Sequence, residues 1–285
     1  MGVIAGLLLA FAASTAQNTG FLFEHIDAAA RPAVSVRHPA RTLGSFARSR
    51  SWLLGATLGV AAFLLHALAL SLAPLSLVQA FFAGGLALTV PIAAHKFTHR
   101  LSRRERKSVV VMALALATLP IGLVNRPESH HVANGRLAAY LITVAALGAA
   151  GAFRARGSPH AAGLALAAGA SYGILDTAIK ALTNLVHMNV GDALWLSPWW
   201  AIAALSALAA LLLFQRTLQT HRPVPAIALT EASAAIVSIV AAFVGFDDSL
   251  GPSVPLTAIH LGAFAAIATT TWTLAPAAHL HPRQR

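Results

Sequence analysis

Residues 64–107 read LLHALALSLAPLSLVQAFFAGGLALTVPIAAHKFTHRLSRRERK, and their reading decides the fold. One apolar helix ends at a proline corner, Pro74. A second apolar helix follows at once and runs into a burst of positive charge. Lys96, Arg100, Arg103, Arg104, Arg106 and Lys107 lie within twelve residues. Such a burst fixes the side of a membrane on which a helical hairpin closes, because Lys and Arg are retained on the cytoplasmic side.

Working outward, the 285-residue chain is 57% hydrophobic and only 10% charged. A soluble domain carries about 25% charged residues, so this chain has too few polar groups to cover its own surface. The apolar residues come in runs of roughly 20, the length of a bilayer-crossing helix. The runs are rich in Ala and Leu and lack the alternation of a barrel wall. The expected fold is therefore an all-α polytopic bundle. Its net charge of +11 sits in short loops between spans, next to anionic lipid headgroups, and nucleic acid is not an expected partner. There is no Cys, which excludes disulfides, thiolate metal sites and cysteine catalysis.

Nine spans can be drawn, at residues 2–23, 51–72, 75–94, 108–125, 136–153, 160–181, 196–215, 224–245 and 254–274. The first has no Lys or Arg before it and its charges follow, which makes it a retained span and not a cleaved signal. Lys and Arg number five in loop 24–50, six in 95–107, and two each in 154–159, 216–223 and the C-terminal tail. All these segments fall on one side of a nine-span chain. The other side holds only Arg126 and Arg136. The asymmetry predicts an outside N-terminus and a cytoplasmic C-terminus in the cell membrane. Trp52, Trp195, Trp199, Trp200 and Trp272 all fall near span ends, where aromatic belts form. Loop 24–50, with five Arg and two Pro, reads as a cytoplasmic linker at the lipid surface.

Shifting the opening hairpin by 149 residues finds a partner. LLHALALSLAPL at 64–75 falls on LLFQRTLQTHRPV at 212–224, so that His66 meets Gln215 and Pro74 meets Pro223. Span 75–94 lands on 224–245, and 108–125 on 254–274. The basic turn after the first copy falls on the acidic turn FDDSLGPS, so the copies close on opposite sides. GLLLAFAAS at 6–14 also matches GLALAAGAS at 163–171. The predicted organisation is one integral membrane domain: a first half over 1–125, a linking helix within 126–159, and a second half over 160–285. An odd linker inverts the second half. Inverted repeats are the usual construction of secondary transporters, with the substrate near the midplane between halves.

LALSLAPLSLVQAF, the LSRRERKS turn and LFQRTLQTHRP–VPAIALT resemble the drug/metabolite transporter superfamily, in its EamA-like and NIPA-like branches. The resemblance spans most of the chain, and nine spans are closer to the NIPA-like arrangement. It implies an inverted-repeat bundle that moves a small metabolite or cation by alternating access. For a NIPA-like protein, it implies magnesium or another divalent cation. A non-transporting scaffold is the alternative from another class. The only charge clusters are basic, so no membrane enzyme is expected, and no cofactor.

Ionisable groups inside spans are costly and are functional candidates by default. Glu231, among small residues in LTEASAAIVS, could carry a proton or bind a cationic group. Asp176 and Lys180 stand four apart on one helix face, as a self-neutralising pair with Lys180 snorkelling outward or as a pair that substrate opens. His66 and Gln79 flank the proline corner, and the repeat raises the question of whether they meet Glu231. Gln17, Asn18 and His260 complete the polar set as interhelical hydrogen-bonding groups. No histidine spacing resembles a zinc site, and no metal ligand set is expected; His130 and His131 lie in an outer loop. Gly55–Gly59 and Gly169–Gly173 permit close helix contact. Gly84–Gly85 offers bare backbone to a ligand or to flexing. Glu128, Asp192, Asp247 and Asp248 make the outer loops acidic, which would concentrate cations at an entrance.

Overall fold

A computed structural model describes residues 2–28, 44, 48–85, 103–118, 132–154, 162–188, 191–220, 223–248 and 253–274. Within them the chain is helical and has no strand. Nine α-helices follow in order: α1 Gly2–Ala28, α2 Arg50–Leu72, α3 Leu75–Gly84, α4 Arg103–Thr118, α5 Asn134–Arg154, α6 Ala162–His187, α7 Trp199–Thr220, α8 Pro223–Gly245 and α9 Val254–Leu274. A single 3-10 turn, Gly191–Leu194, precedes α7. Most of loop 24–50, the second part of span 75–94, the LSRR turn up to residue 102, Glu128, His130, His131 and the C-terminal tail lie outside the described residues.

Among the described residues, four helices are long and apolar enough to cross a membrane, over Gly2–Phe21, Arg50–Leu72, Asn134–Arg154 and Trp199–Gln219. Leu75–Gly84, Leu229–Gly245 and Val254–Thr270 are shorter apolar helices. The distribution of side chains is inverted relative to a soluble protein. Large aliphatic residues face outward, with Leu8 65% exposed, Leu64 62% and Ile142 70%. Ser14, Asn18, Glu24, His66, Gln79, Lys180, Glu231 and His260 are buried. An apolar exterior of this extent suits lipid and not water. The helices are therefore fitted to membrane insertion.

Small residues decide where helices touch. α1 and α2 cross at Gly20 and Gly55, where a Cβ on either would lie 2.7 Å from the carbonyl oxygen of the other. α6 crosses α8 at Gly169 and Gly173; a Cβ on Gly173 would lie 2.7 Å from Val237 Cβ and 2.9 Å from the Ala234 carbonyl. α6 also packs along α7, α4 along α9, and α3 against α1 and α8. α5 lies on α6 and α8, where the Tyr140 hydroxyl donates to the Val237 carbonyl at 2.9 Å.

Pro74 breaks the chain because its ring disfavours a helical residue before it. Ala73 is accordingly extended, with φ −148° and ψ 156°. The break leaves carbonyls at the end of α2 and amides at the start of α3 without helical partners. Members of both sets are bonded from the second half of the chain. Lys180 Nζ donates to the Leu70 carbonyl at 2.8 Å and to that of Ala73 at 3.2 Å. Asp248 Oδ2 accepts from the Ser76 amide at 3.0 Å and from its hydroxyl at 2.7 Å.

Candidate functional site

The corner fixes how α2 and α3 leave it, and hence where His66 and Gln79 stand. Both point toward α6 and Asp176. His66 Nε2 lies 3.1 Å from Asp176 Oδ1, and the Gln79 amide nitrogen donates to Asp176 Oδ2 at 2.9 Å. The two nitrogens are 3.2 Å apart because they converge on one carboxylate. Ser238 Oγ approaches the same Oδ2 at 3.4 Å from α8. His66 also sets its ring edge-on to Phe82, with centroids 4.6 Å apart. Its Nδ1 is buried without a hydrogen-bond partner.

These groups line a cavity of about 330 Å³ between α1, α2, α3, α6, α7 and α8. Its polar lining is Gln17, Glu24, His66, Gln79, Asp176 and Glu231. Phe21, Trp52, Phe63, Phe82 and Tyr172 supply aromatic surface. Glu231, 3% exposed, takes a side-chain hydrogen bond from Gln17. Glu24 accepts a short hydrogen bond from the Gln215 amide. Phe21, Tyr172 and Phe214 form an aromatic cluster, with Phe21 and Phe214 tilted at a centroid distance of 4.2 Å and Tyr172 edge-on to Phe214 at 6.2 Å. Among the described residues, no group of three or more His, Asp and Glu side chains is close enough to hold a metal ion.

Four of the five site residues expected from the sequence thus come together: Glu231, Asp176, His66 and Gln79. The fifth, Lys180, does not line the cavity. It is 1% exposed and does not snorkel, because the carbonyls freed at the proline corner lie within its reach. His66 and Gln79 meet Asp176, while Glu231 meets Gln17. Asn18 is a packing group; its amide donates to Ser14 at 3.1 Å on its own helix.

Several finer expectations are corrected. The first helix does not stop at residue 23 but runs to Ala28, and Glu24 is a buried wall residue instead of the start of a loop. The spacing Gln17, Phe21, Glu24 carries one helix face a further turn, and that is the signal for it. Gly59 is not a close-packing position among the described residues: a Cβ there would meet none of their atoms within 4 Å, and the residue borders the cavity. Gly85 is closed off by Ser14. Asp248 is occupied in capping α3, and Asp247 Oδ1 pairs with Arg136 at 3.6 Å.

In comparisons with known proteins, no family model, no curated protein and no solved structure matches the chain.

Proposed function

We propose that the chain is a secondary transporter of the drug/metabolite type. It spans the cytoplasmic membrane with nine helices, N-terminus outside, and moves a small solute or cation by alternating access. The observation that carries this reading is the cavity. Gln17, Glu24, His66 and Gln79 come to it from the first half, and Asp176 and Glu231 from the second.

The packing of the helices supports an inverted repeat. α1 packs along α2 and touches α3, as α6 packs along α7 and α8; α3 meets its counterpart α8, and α4 meets α9. The polar bonds cross between the halves in matching fashion. Glu24 on the first helix of one half is held by Gln215 on the second helix of the other, and Asp176 is held by His66 in the reciprocal way. His66 and Gln215 are the residues that the 149-residue shift aligns. Two such halves can exchange conformations and open the midplane site to each side in turn. The sequence carries no nucleotide-binding loop, so an ion gradient or exchange drives the movement.

The test is tracer uptake into proteoliposomes with and without a pH gradient. The expected result is saturable flux that responds to the gradient and is lost in Glu231→Gln. Flux unchanged by that substitution removes the role of Glu231, and absence of flux across a broad solute panel removes the reading.

A further inference from the structure

The composition of the cavity wall narrows what it accepts. Among the described residues, three carboxyl groups line it, from Glu24, Asp176 and Glu231, and the one lining group that can carry positive charge is His66. That imidazole already gives its Nε2 to Asp176. Among the described residues, an anion entering here would meet three acidic groups and only an imidazole already bound to one of them. A bare divalent ion is also poorly served. It demands six or more converging oxygens or a retained water shell, whereas the described residues gather no group of three or more acidic or histidine ligands and, Gln17 and Gln79 apart, the rest of the described wall is hydrocarbon and aromatic.

The aromatic groups complete the specification. Phe21, Phe63, Phe82, Trp52 and Tyr172 present ring surface to the same space as the acids. Aromatic faces attract a weakly hydrated cation through the ring quadrupole, most strongly when it has left bulk water. They also pack against an apolar body, which a hydrated inorganic ion lacks. We infer that the cavity binds an organic monocation, an ammonium group carried on an apolar or aromatic body. The ammonium sits between Asp176 and Glu231, and the body lies against the rings toward Trp52 and Phe63. Gly59 leaves that side of the wall open, since no atom of the described residues stands within 4 Å of where its Cβ would be. The inference rests on the reading of the cavity as a transport site and names its substrate class.

The experiment is calorimetric binding to the purified full chain in detergent, with benzyltrimethylammonium as probe. Benzyl alcohol, benzenesulfonate and magnesium chloride are the comparisons. The ammonium should bind at least about tenfold more tightly than the alcohol or the sulfonate, as one good cation–carboxylate or cation–ring contact requires. Magnesium should leave its affinity unchanged. Glu231→Gln and Asp176→Asn should each weaken the ammonium about tenfold. Phe63 is 39% exposed, so Phe63→Leu leaves folding intact and should still weaken the ammonium severalfold. The inference is overturned if the alcohol or sulfonate binds as well, if magnesium displaces the ammonium, or if all three variants bind as the parent does. If the ammonium binds in the expected pattern but is not carried into proteoliposomes, the transport reading fails and the cation site stands. If another solute is carried and the ammonium does not bind, the substrate class alone falls.

Discussion

The proline corner and the cavity are built from the same materials and end in opposite states. Each buries charged side chains from the second half of the chain against the first half. At the corner, an ammonium meets the carbonyls at the end of α2 and a carboxylate meets the amides at the start of α3. Both charges complement the dipole of the helix end they touch. Lys180 binds backbone carbonyls and Asp248 takes the Ser76 amide as well as its hydroxyl, and backbone cannot leave. In the cavity the bonds run from side chain to side chain, and each carboxyl group is held by side-chain donors alone. His66 Nδ1 and Gln215 Oε1 stay buried without partners. Lys180 and Asp176 lie one turn apart on α6 and fall on either side of this division. A charge locked onto backbone holds a shape, whereas a charge held by other side chains beside a void is free to be taken over by a ligand.

The division is broken most severely by Lys180→Met. The methionine fills the space but leaves the Leu70 and Ala73 carbonyls without their donor in a dry interior. The expected loss is about 3 kcal/mol, the lower end for disrupting a buried charge interaction, read as a fall in thermal unfolding temperature in detergent. Asp176→Asn keeps the shape and an acceptor for Gln79, so its loss should be well below that of Lys180→Met. If the two losses are equal, the distinction between corner and cavity disappears. Next in size is Gly55→Ala, whose new methyl would sit 2.6 Å from Glu24 Cγ and 2.7 Å from the Gly20 carbonyl. Forcing α1 and α2 apart should cost about 2 kcal/mol. Asp248→Ala removes a cap from α3 at a cost of about 1 kcal/mol. Asp248→Asn retains a side-chain oxygen and should lose less. A larger loss from Asp248→Ala than from Lys180→Met would reverse the order in which the two charges hold the corner.

Local signals made much of this readable in the sequence. Pro74 marked the corner because the proline constraint acts on its immediate neighbour. The Ala/Leu runs marked the helices because length and hydropathy are properties of a segment. Glu231, Asp176, His66 and Gln79 stood out because a polar group in an apolar run is conspicuous whatever it touches. What escaped were partners. The Asp176–Lys180 spacing suggests a mutual pair, yet the carbonyls that hold Lys180 lie more than a hundred positions earlier, on α2. Glu24 was assigned to the loop because a carboxylate after an apolar run looks like an exit into water. Its partner Gln215 is 191 positions away. Gly55 and Gly59 are indistinguishable as a pattern. Only the path of α1 past α2 closes one and leaves the other open.

Gly59 therefore gives the smallest change in stability and the finest test of where the cavity begins. In a helix, Ala is favoured over Gly by up to about 1 kcal/mol, because glycine loses more backbone freedom on folding. At Gly55 that gain is overwhelmed by collision. At Gly59 no atom of the described residues stands within 4 Å of the added carbon, so Gly59→Ala should raise stability by roughly 0.5 kcal/mol. A loss instead would mean that α1 or α7 closes over this position and that the open wall is misassigned. Gly59→Leu extends the same test into the space itself. Gly59 borders the cavity and no described atom crowds it, so the leucine has room there, and unfolding temperature should hold while binding of benzyltrimethylammonium is lost. Stability and binding then separate at a single position, as they must where a residue borders a site and supports nothing else.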